Sequence, residues 1–234
     1  MIRYEMNLTT HNIKFTVSKN SGEVSGILLL PGKPKFLLLF AHGAGAGMKH
    51  PFMEKMVVYL AEENVGTLRY NFPFTEKKIK RPDPAPILMQ TIRSAVEASK
   101  KFAKDIPLFA GGKSMGGRMT SMAASKEPLN GIKGIIFFGF PLHAPGKPSD
   151  ERGEHLFNVS VPMLFLQGTR DKLADLELLK PIVKRLKDKA TLYVVEGADH
   201  SFHLLKSSEK NDEDVLKEMA KKVGGWGDNI IQIS

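Results

Sequence analysis

The chain has 234 residues, 42% hydrophobic and 25% charged, with a formal net charge of +9 at pH 7 and no cysteine. This size and composition predict one globular domain, residues 1–234, and argue against a largely disordered chain. The lack of cysteine excludes disulfides, thiolate metal ligands and a cysteine nucleophile.

Partners and location follow from the distribution of apolar and charged residues. The longest dense apolar stretches, 27–30 and 36–40, have the length of strands, and residues 1–11 lack the apolar core of a secretory signal. We therefore expect a cytoplasmic protein without a membrane partner. Its basic residues are dispersed over helix-like stretches among acidic and apolar residues, which favours solvated helix faces, so we expect no specific nucleic-acid partner. The pattern leaves the oligomeric state open.

Strand-like runs alternate with amphipathic helical stretches, which predicts an α/β fold with a mainly parallel sheet covered by helices on both faces. Two opening strands without a helix between them, 13–17 and 24–30, predict an antiparallel hairpin. Further strands are predicted at 36–40, 65–70, 108–110, 135–140, 163–166 and 192–195. Apolar stripes predict helices around 53–60, 88–96 and 216–223. We interpret the irregular connection 141–158 as a candidate minimal lid at the rim of the sheet.

A G-x-S-x-G motif, Gly112-Lys113-Ser114-Met115-Gly116, lies between a predicted strand and a helical stretch. Glycines two residues either side of the serine permit the strained turn that lifts its oxygen clear of the chain, so Ser114 is the candidate nucleophile. Two phosphate-binding alternatives fit less well. A P-loop needs a glycine at Pro107, and a dinucleotide-binding motif starting at Gly43 needs one at Met48.

A serine nucleophile needs a base and an acid, and both follow predicted strands. Asp171 follows the strand 163–166, and His200 follows the strand 192–195. Their chain order, Ser114 then Asp171 then His200, is the order of an α/β-hydrolase triad. Asp175 and Asp199 are competing acids, but Asp171 is favoured because it closes a strand-end turn. His200 lacks the spaced ligands of a metal site, so we predict neither a metal nor another cofactor.

The tetrahedral intermediate of acyl transfer needs two backbone N–H donors for its oxyanion. We predict Met115, directly after the nucleophile, and Ala44, in the glycine-rich turn after the strand 36–40, with Gly43 and Gly45 as alternatives to Ala44. The predicted substrate-binding residues are His42, His50, Phe72 and His143. A hydrogen bond that shapes the turn is the favoured role of His42. For His50 a helix-start role, and for His143 a plain loop role, remain alternatives.

Five segments together resemble a small, cap-poor family of α/β-hydrolase-fold serine hydrolases: AHGAGA (41–46), RYNFPF (69–74), GKSMGGR (112–118), FPLHAPGK (140–147) and GADHSF (197–202). The family consists largely of uncharacterised bacterial and archaeal proteins, is distantly similar to dienelactone hydrolases, and includes a eukaryotic regulatory subunit of a histone acetyltransferase complex. The resemblance runs from residue 13 to the C-terminal helix and implies a three-layer α/β-hydrolase fold.

The same resemblance implies a serine hydrolase that cleaves a carboxylic ester or related acyl bond of a small-molecule substrate through an acyl-enzyme. Ser114 stands where the dienelactone enzymes use cysteine, so their substrate is not carried over. The eukaryotic relative implies an alternative, a catalytically silent binding or scaffold protein with the same fold.

Overall fold

A computed structural model describes residues 7–233 and contains one eight-stranded sheet surrounded by helices. The strands are β1 (Leu8–Ser18), β2 (Gly22–Pro31), β3 (Phe36–Ala41), β4 (Val65–Tyr70), β5 (Leu108–Lys113), β6 (Ile132–Phe138), β7 (Met163–Gly168) and β8 (Ala190–Val195). The helices are α1 (Pro51–Glu62), α2 (Pro73–Glu76), α3 (Ala85–Ser99), α4 (Met115–Lys126), α5 (Leu176–Leu186) and α6 (Asp212–Ile233). Two 3₁₀ helices span Glu151–Asn158 and Lys187–Lys189.

The sheet has the strand order β1-β2-β4-β3-β5-β6-β7-β8. Strands β3 to β8 are parallel, whereas β1 and β2 form an antiparallel hairpin whose second strand pairs antiparallel with β4. This confirms the predicted fold and the opening hairpin. Ala41 at the end of β3 lies opposite both Tyr70 of β4 and Gly112 of β5. The carboxyl ends of these central strands therefore meet at one edge, where open α/β sheets bind their ligands.

Helices cover both faces of the sheet, as the alternation along β3 shows. Leu37 and Leu39 pack in the apolar cluster formed with α3, α4 and α5. Phe36, Leu38 and Phe40 pack in a second cluster formed with α1 and α6. All six residues of β3 are buried, as expected for a central parallel strand covered on two sides. Within residues 7–233, no helix has the length and apolar character needed to cross a membrane.

Three local features differ from the sequence-based expectations. The connection 141–158 is partly ordered, since it contains the 3₁₀ helix Glu151–Asn158, in which Leu156 is buried in the core. The short helix α2 had no apolar periodicity to reveal it, because it is only four residues long. Strand β6 ends at Phe138 rather than residue 140, because Gly139 has a φ of 73°, which a regular strand does not accommodate.

Candidate active site

Ser114 occupies a sharp turn between β5 and α4 with φ 51° and ψ −117°, a conformation that non-glycine residues seldom adopt. The turn is fixed by close packing on the end of β3. A Cβ added to Gly112 would lie 2.4 Å from the Ala41 carbonyl oxygen, and one added to Gly116 would lie 2.5 Å from the same atom. Glycine is therefore required at both positions by backbone approach, and the turn holds the Ser114 side chain at the sheet edge.

Ser114, His200 and Asp171 form a continuous hydrogen-bonded chain. The Ser114 Oγ lies 2.8 Å from His200 Nε2, and His200 Nδ1 lies 2.7 Å from Asp171 Oδ2. The Asp171 side chain is fully buried, whereas 23% of the His200 side chain is exposed. With Nδ1–H donating to the carboxylate, Nε2 is free to accept the serine proton. The three residues thus have the geometry of a nucleophile, a general base and an orienting acid.

Gln167, a residue that sequence reasoning missed, holds the carboxylate in place. Its Nε2 donates to Asp171 Oδ2 at 2.5 Å, and its Oε1 accepts the Phe140 N–H at 2.9 Å. The other oxygen, Asp171 Oδ1, accepts the Leu173 N–H at 2.8 Å. Gln167 is fully buried in β7. A glutamine within an otherwise apolar strand, four residues before the predicted acid, was the available signal.

Lys113 is a second residue that sequence reasoning missed, and it connects the Ser114 turn to the loop that carries His200. Its Nζ donates to the His200 carbonyl oxygen at 2.6 Å and lies 5.8 Å and 5.4 Å from the ring centroids of Phe52 and Phe202. Burial lowers the pKa of Lys113 to about 8, and the nearby carboxylates of Asp171 and Asp199 oppose that effect. The lysine therefore places a titratable cation against the backbone of His200.

The two residues predicted to supply oxyanion donors, Met115 and Ala44, line the same cavity as Ser114. Met115 is the first residue of α4, where the backbone N–H has no acceptor within the helix. The turn after β3 contacts the nucleophile, since a Cβ on Gly43 would lie 3.7 Å from Ser114 Cβ. Ala44 is exposed, and it lines the same cavity as Ser114 and Met115.

His42 and Phe72 lie beneath the site with no exposed surface. His42 Nδ1–H donates to the Gly43 carbonyl at 2.7 Å, and Nε2 accepts from the Phe72 N–H at 3.3 Å and the Thr75 hydroxyl at 3.2 Å. Burial lowers the pKa of His42 to about 4, which agrees with a neutral ring that accepts at Nε2. The structure therefore places both residues in support of the turn after β3, away from the cavity wall.

A cavity of about 520 Å³ opens beside Ser114, and Ala44, Met115, Arg118, Pro141, His143 and Arg152 form part of its wall. His143 is buried, and its ring nitrogens are 3.0 Å from the Ala144 carbonyl oxygen and 2.9 Å from the Asp175 N–H. The segment 141–158 thus supplies one wall of the cavity. We name this space the Ser114 cavity.

His50 lies elsewhere, on a second cavity of about 390 Å³ that includes Phe52, Lys113 and Ser201. Its Nδ1 accepts the Phe52 N–H at 3.3 Å, so His50 caps the start of α1. The second cavity borders the neighbours of both triad residues, because Lys113 directly precedes Ser114 and Ser201 directly follows His200.

A family model for the alpha/beta hydrolase domain matches residues 34–228, most of the chain. The chain belongs to the α/β-hydrolase family. This confirms the family resemblance read from the motifs, and it supports hydrolase activity in general.

Solved structures of similar proteins agree with this α/β-hydrolase fold. A dienelactone hydrolase from Anabaena variabilis has a TM-score of 0.72 at 18% identity, covering 94% of this chain and 96% of that one. An α/β serine hydrolase without a lid from Xanthomonas campestris has a TM-score of 0.72 at 17% identity, covering 93% and 94%. At these identities the likeness concerns the fold.

One curated relative of this α/β hydrolase has a different name. A putative phosphoribosyl transferase of Mycobacterium tuberculosis is 26% identical over 208 residues, which are 87% of this chain and 43% of that protein. The chain therefore spans less than half the length of that relative.

Asp175 and Asp199, the alternatives to Asp171 as the acid of the triad, make other contacts. Asp175 caps α5 by accepting the Glu177 N–H, and Asp199 accepts the N–H groups of Ser201 and His203. His203 Nδ1 lies 2.6 Å from Asp212 Oδ2. In the part of the chain that the structure describes, no three His, Cys, Asp or Glu side chains are grouped to hold a metal ion.

Proposed function

We propose that this α/β hydrolase is a serine hydrolase that cleaves a carboxylic ester or thioester through an acyl-enzyme. The observation that carries the proposal is the unbroken chain of contacts from Ser114 Oγ through His200 to the buried Asp171 carboxylate. A serine hydroxyl becomes nucleophilic when an adjacent imidazole accepts its proton, and the carboxylate stabilises the imidazolium that forms.

The reaction begins when Ser114 Oγ bonds to the carbonyl carbon of the substrate and His200 Nε2 takes the hydroxyl proton. The Met115 and Ala44 N–H groups are our proposed donors to the oxyanion, with Gly43 and Gly45 as alternatives to Ala44. Collapse of the intermediate breaks the bond to the alcohol or thiol, which leaves with the proton from His200. Water then attacks the acyl-enzyme with the same base, releasing the carboxylic acid and restoring Ser114.

The segment 141–158 is our proposed minimal lid. Pro141, His143, Ala144 and Arg152 line the Ser114 cavity, while the His143 N–H donates to the Leu173 carbonyl oxygen at 2.9 Å. The segment is therefore attached to the loop that carries Asp171. A short, attached lid suits a small acyl substrate, since cavities of this volume enclose molecules of that size.

Labelling with a fluorophosphonate tests the nucleophile, because the reagent phosphonylates activated serines. We expect one label at Ser114, none in Ser114→Ala, and a loss of about 10⁴-fold or more in ester hydrolysis. Ser121→Ala is the matched control, because Ser121 Oγ lies 2.8 Å from His155 Nε2 but is fully buried and donates to the Arg118 carbonyl oxygen. Labelling of Ser121→Ala should equal that of the unmodified protein.

The outcome that contradicts the proposal is a folded protein in which Ser114 stays unlabelled and no ester or thioester of a broad panel is cleaved. That result favours the silent binding or scaffold protein. The name of the mycobacterial relative does not bear on this test, because it describes a protein of which this chain matches 43%.

A further inference from the structure

Two arginine side chains line the Ser114 cavity. Arg118 lies on α4, four residues after Ser114 and thus on the same side of the helix, and Arg152 lies on the 3₁₀ helix Glu151–Asn158. Arg118 is half-buried and Arg152 is exposed. Two separate elements therefore direct guanidinium groups to the space beside the candidate nucleophile.

In the part of the chain that the structure describes, neither guanidinium has a carboxylate partner. The ion pairs formed among residues 7–233 include neither Arg118 nor Arg152. Arg118 Nη1 contacts Met122 Sδ at 3.6 Å, and a thioether sulfur is a weak acceptor. Burial, followed by the positive charge of Arg152, lowers the pKa of Arg118. A half-buried cation normally has a counter-charge, so Arg118, which forms no ion pair with a described residue, is suited to bind an anion.

Two titratable groups near the pair, Asp83 and His155, form no ion pair with either arginine. Asp83 is on the cavity wall, but its Oδ2 accepts the Phe74 N–H at 2.7 Å, and it forms no ion pair with either arginine. His155 contacts Ser121, and burial together with the charge of Arg118 lowers its pKa to about 4, so its ring is neutral at pH 7. Two cations thus face one carboxylate in this cavity.

The chemistry of His200 bears on which part of a substrate would occupy the Ser114 cavity. The leaving group must lie near His200, because His200 gives it a proton. His200 itself lines neither cavity, but the two residues that follow it, Ser201 and Phe202, line the second cavity, whereas both arginines line the Ser114 cavity. The leaving group therefore belongs on the side of the second cavity, and the acyl part belongs in the Ser114 cavity with the arginines.

We propose that Arg118 and Arg152 bind a carboxylate on the acyl chain, so that the preferred substrates are esters or thioesters of dicarboxylic acids. The planar guanidinium matches a carboxylate with two parallel N–H donors, and the partly buried setting strengthens the interaction. This inference rests on the proposed serine hydrolase activity and adds a substrate class to it.

A matched pair of esters tests the proposal: mono-p-nitrophenyl glutarate, which carries a free carboxylate, and its methyl ester, which is neutral. We expect the unmodified protein to have a kcat/KM at least 10-fold higher for the glutarate. Arg118→Gln should lower kcat/KM for the glutarate about 10- to 100-fold more than for the methyl ester, as charged hydrogen bonds of this kind predict. Arg152→Gln should have a smaller effect in the same direction, because Arg152 is exposed.

Lys189→Gln is the charge-matched control, because Lys189 is exposed just before β8, at the opposite edge of the sheet. It should leave both activities unchanged. Equal kcat/KM for the two esters, or an Arg118→Gln loss of the same size for both, overturns the carboxylate site while leaving the hydrolase in place.

Failure of the hydrolase itself is seen separately, as absence of Ser114-dependent cleavage of either ester. Titration calorimetry with monomethyl glutarate then decides whether the arginines bind a carboxylate. Saturable binding that disappears in Arg118→Gln supports the site, and absence of binding, or binding that Arg118→Gln does not weaken, overturns it.

Discussion

The side-chain amide of Gln167 donates to Oδ2 of Asp171, the same oxygen that lies 2.7 Å from His200 Nδ1. The glutamine also accepts the Phe140 N–H, so one buried side chain connects the segment after β6 to the acid of the candidate triad. The orientation of the carboxylate therefore depends on a residue outside the triad. In metal sites, residues that hydrogen-bond to a histidine ligand fix its orientation in the same way.

Replacement of Gln167 by leucine should lower both stability and activity. The variant leaves the Phe140 N–H without its partner and removes a donor from Asp171, which costs about 1–3 kcal/mol of unfolding free energy. We expect kcat for p-nitrophenyl acetate to fall about 10- to 100-fold, measured with urea unfolding on the same samples. Gln90→Leu, at an exposed position of α3, is the control and should change neither quantity. Unchanged kcat in folded Gln167→Leu contradicts the positioning role.

Lys113→Met should lower kcat about 10-fold with little change in KM, because the hydrogen bond to the His200 carbonyl is lost while an unbranched apolar chain still packs against Phe52 and Phe202. In the unmodified protein, loss of the Lys113 proton weakens that bond, so kcat should decrease above about pH 8. A pH–rate profile checks this, since the decrease should be absent in Lys113→Met. Lys55→Met is the control, because Lys55 is exposed and lines the second cavity, as Lys113 does. An identical alkaline decrease in Lys113→Met contradicts the assignment.

Protonation of His42 should destabilise the fold in acid. The pKa of His42 is about 4 in the folded state against 6.5 in the unfolded chain, so the two states bind protons equally above pH 6.5. As the pH falls from 6.5 towards 4, the unfolded chain takes up a proton that the folded protein refuses, and about 3 kcal/mol of stability is lost. Urea unfolding between pH 4 and 7 measures the slope, which should be shallower in His42→Gln. An equal slope in both proteins counts against the neutral buried ring.

The two glycines of the Ser114 turn, Gly112 and Gly116, should not tolerate replacement by a residue with a side chain. In Gly116→Ala the new Cβ would lie 2.5 Å from the Ala41 carbonyl oxygen and 2.7 Å from that of His42. Both contacts are with backbone, so we expect a loss of about 3 kcal/mol or failure to fold. Gly45→Ala is the control, because its Cβ has no atom within 4 Å. Circular dichroism and urea unfolding compare the two, and equal stabilities contradict the close packing.

The triad residues could be predicted from the sequence because they follow strands, whereas the residues that position them, Gln167 and Lys113, could not. Ser114, Asp171 and His200 each follow an apolar run, and parallel strands bring such positions to one edge. Gln167 and Lys113 act on backbone atoms of Phe140 and His200, 27 and 87 residues away, and no local pattern records such a contact.

Burial was the second quantity that local patterns did not predict. Residues 71–74 follow the predicted strand 65–70, and in the structure Tyr70, Phe72 and Phe74 pack against one another and are buried with His42. The cation pair depended on tertiary structure as well, because Arg152 reaches the cavity through a 3₁₀ helix that the sequence presented as an irregular connection.

The conformation of residue 114 is imposed by its neighbours rather than by its own side chain. Ser114 precedes α4 at the capping position, yet its side chain makes no cap, since its oxygen faces His200. Alanine or cysteine at this position therefore loses no capping hydrogen bond and occupies the same half-buried position beside the cavity. Mutation can consequently exchange one reactive atom for another, or delete it, without rebuilding the backbone. The side chain at residue 114 can therefore change in evolution independently of the residues that fix the backbone of the turn.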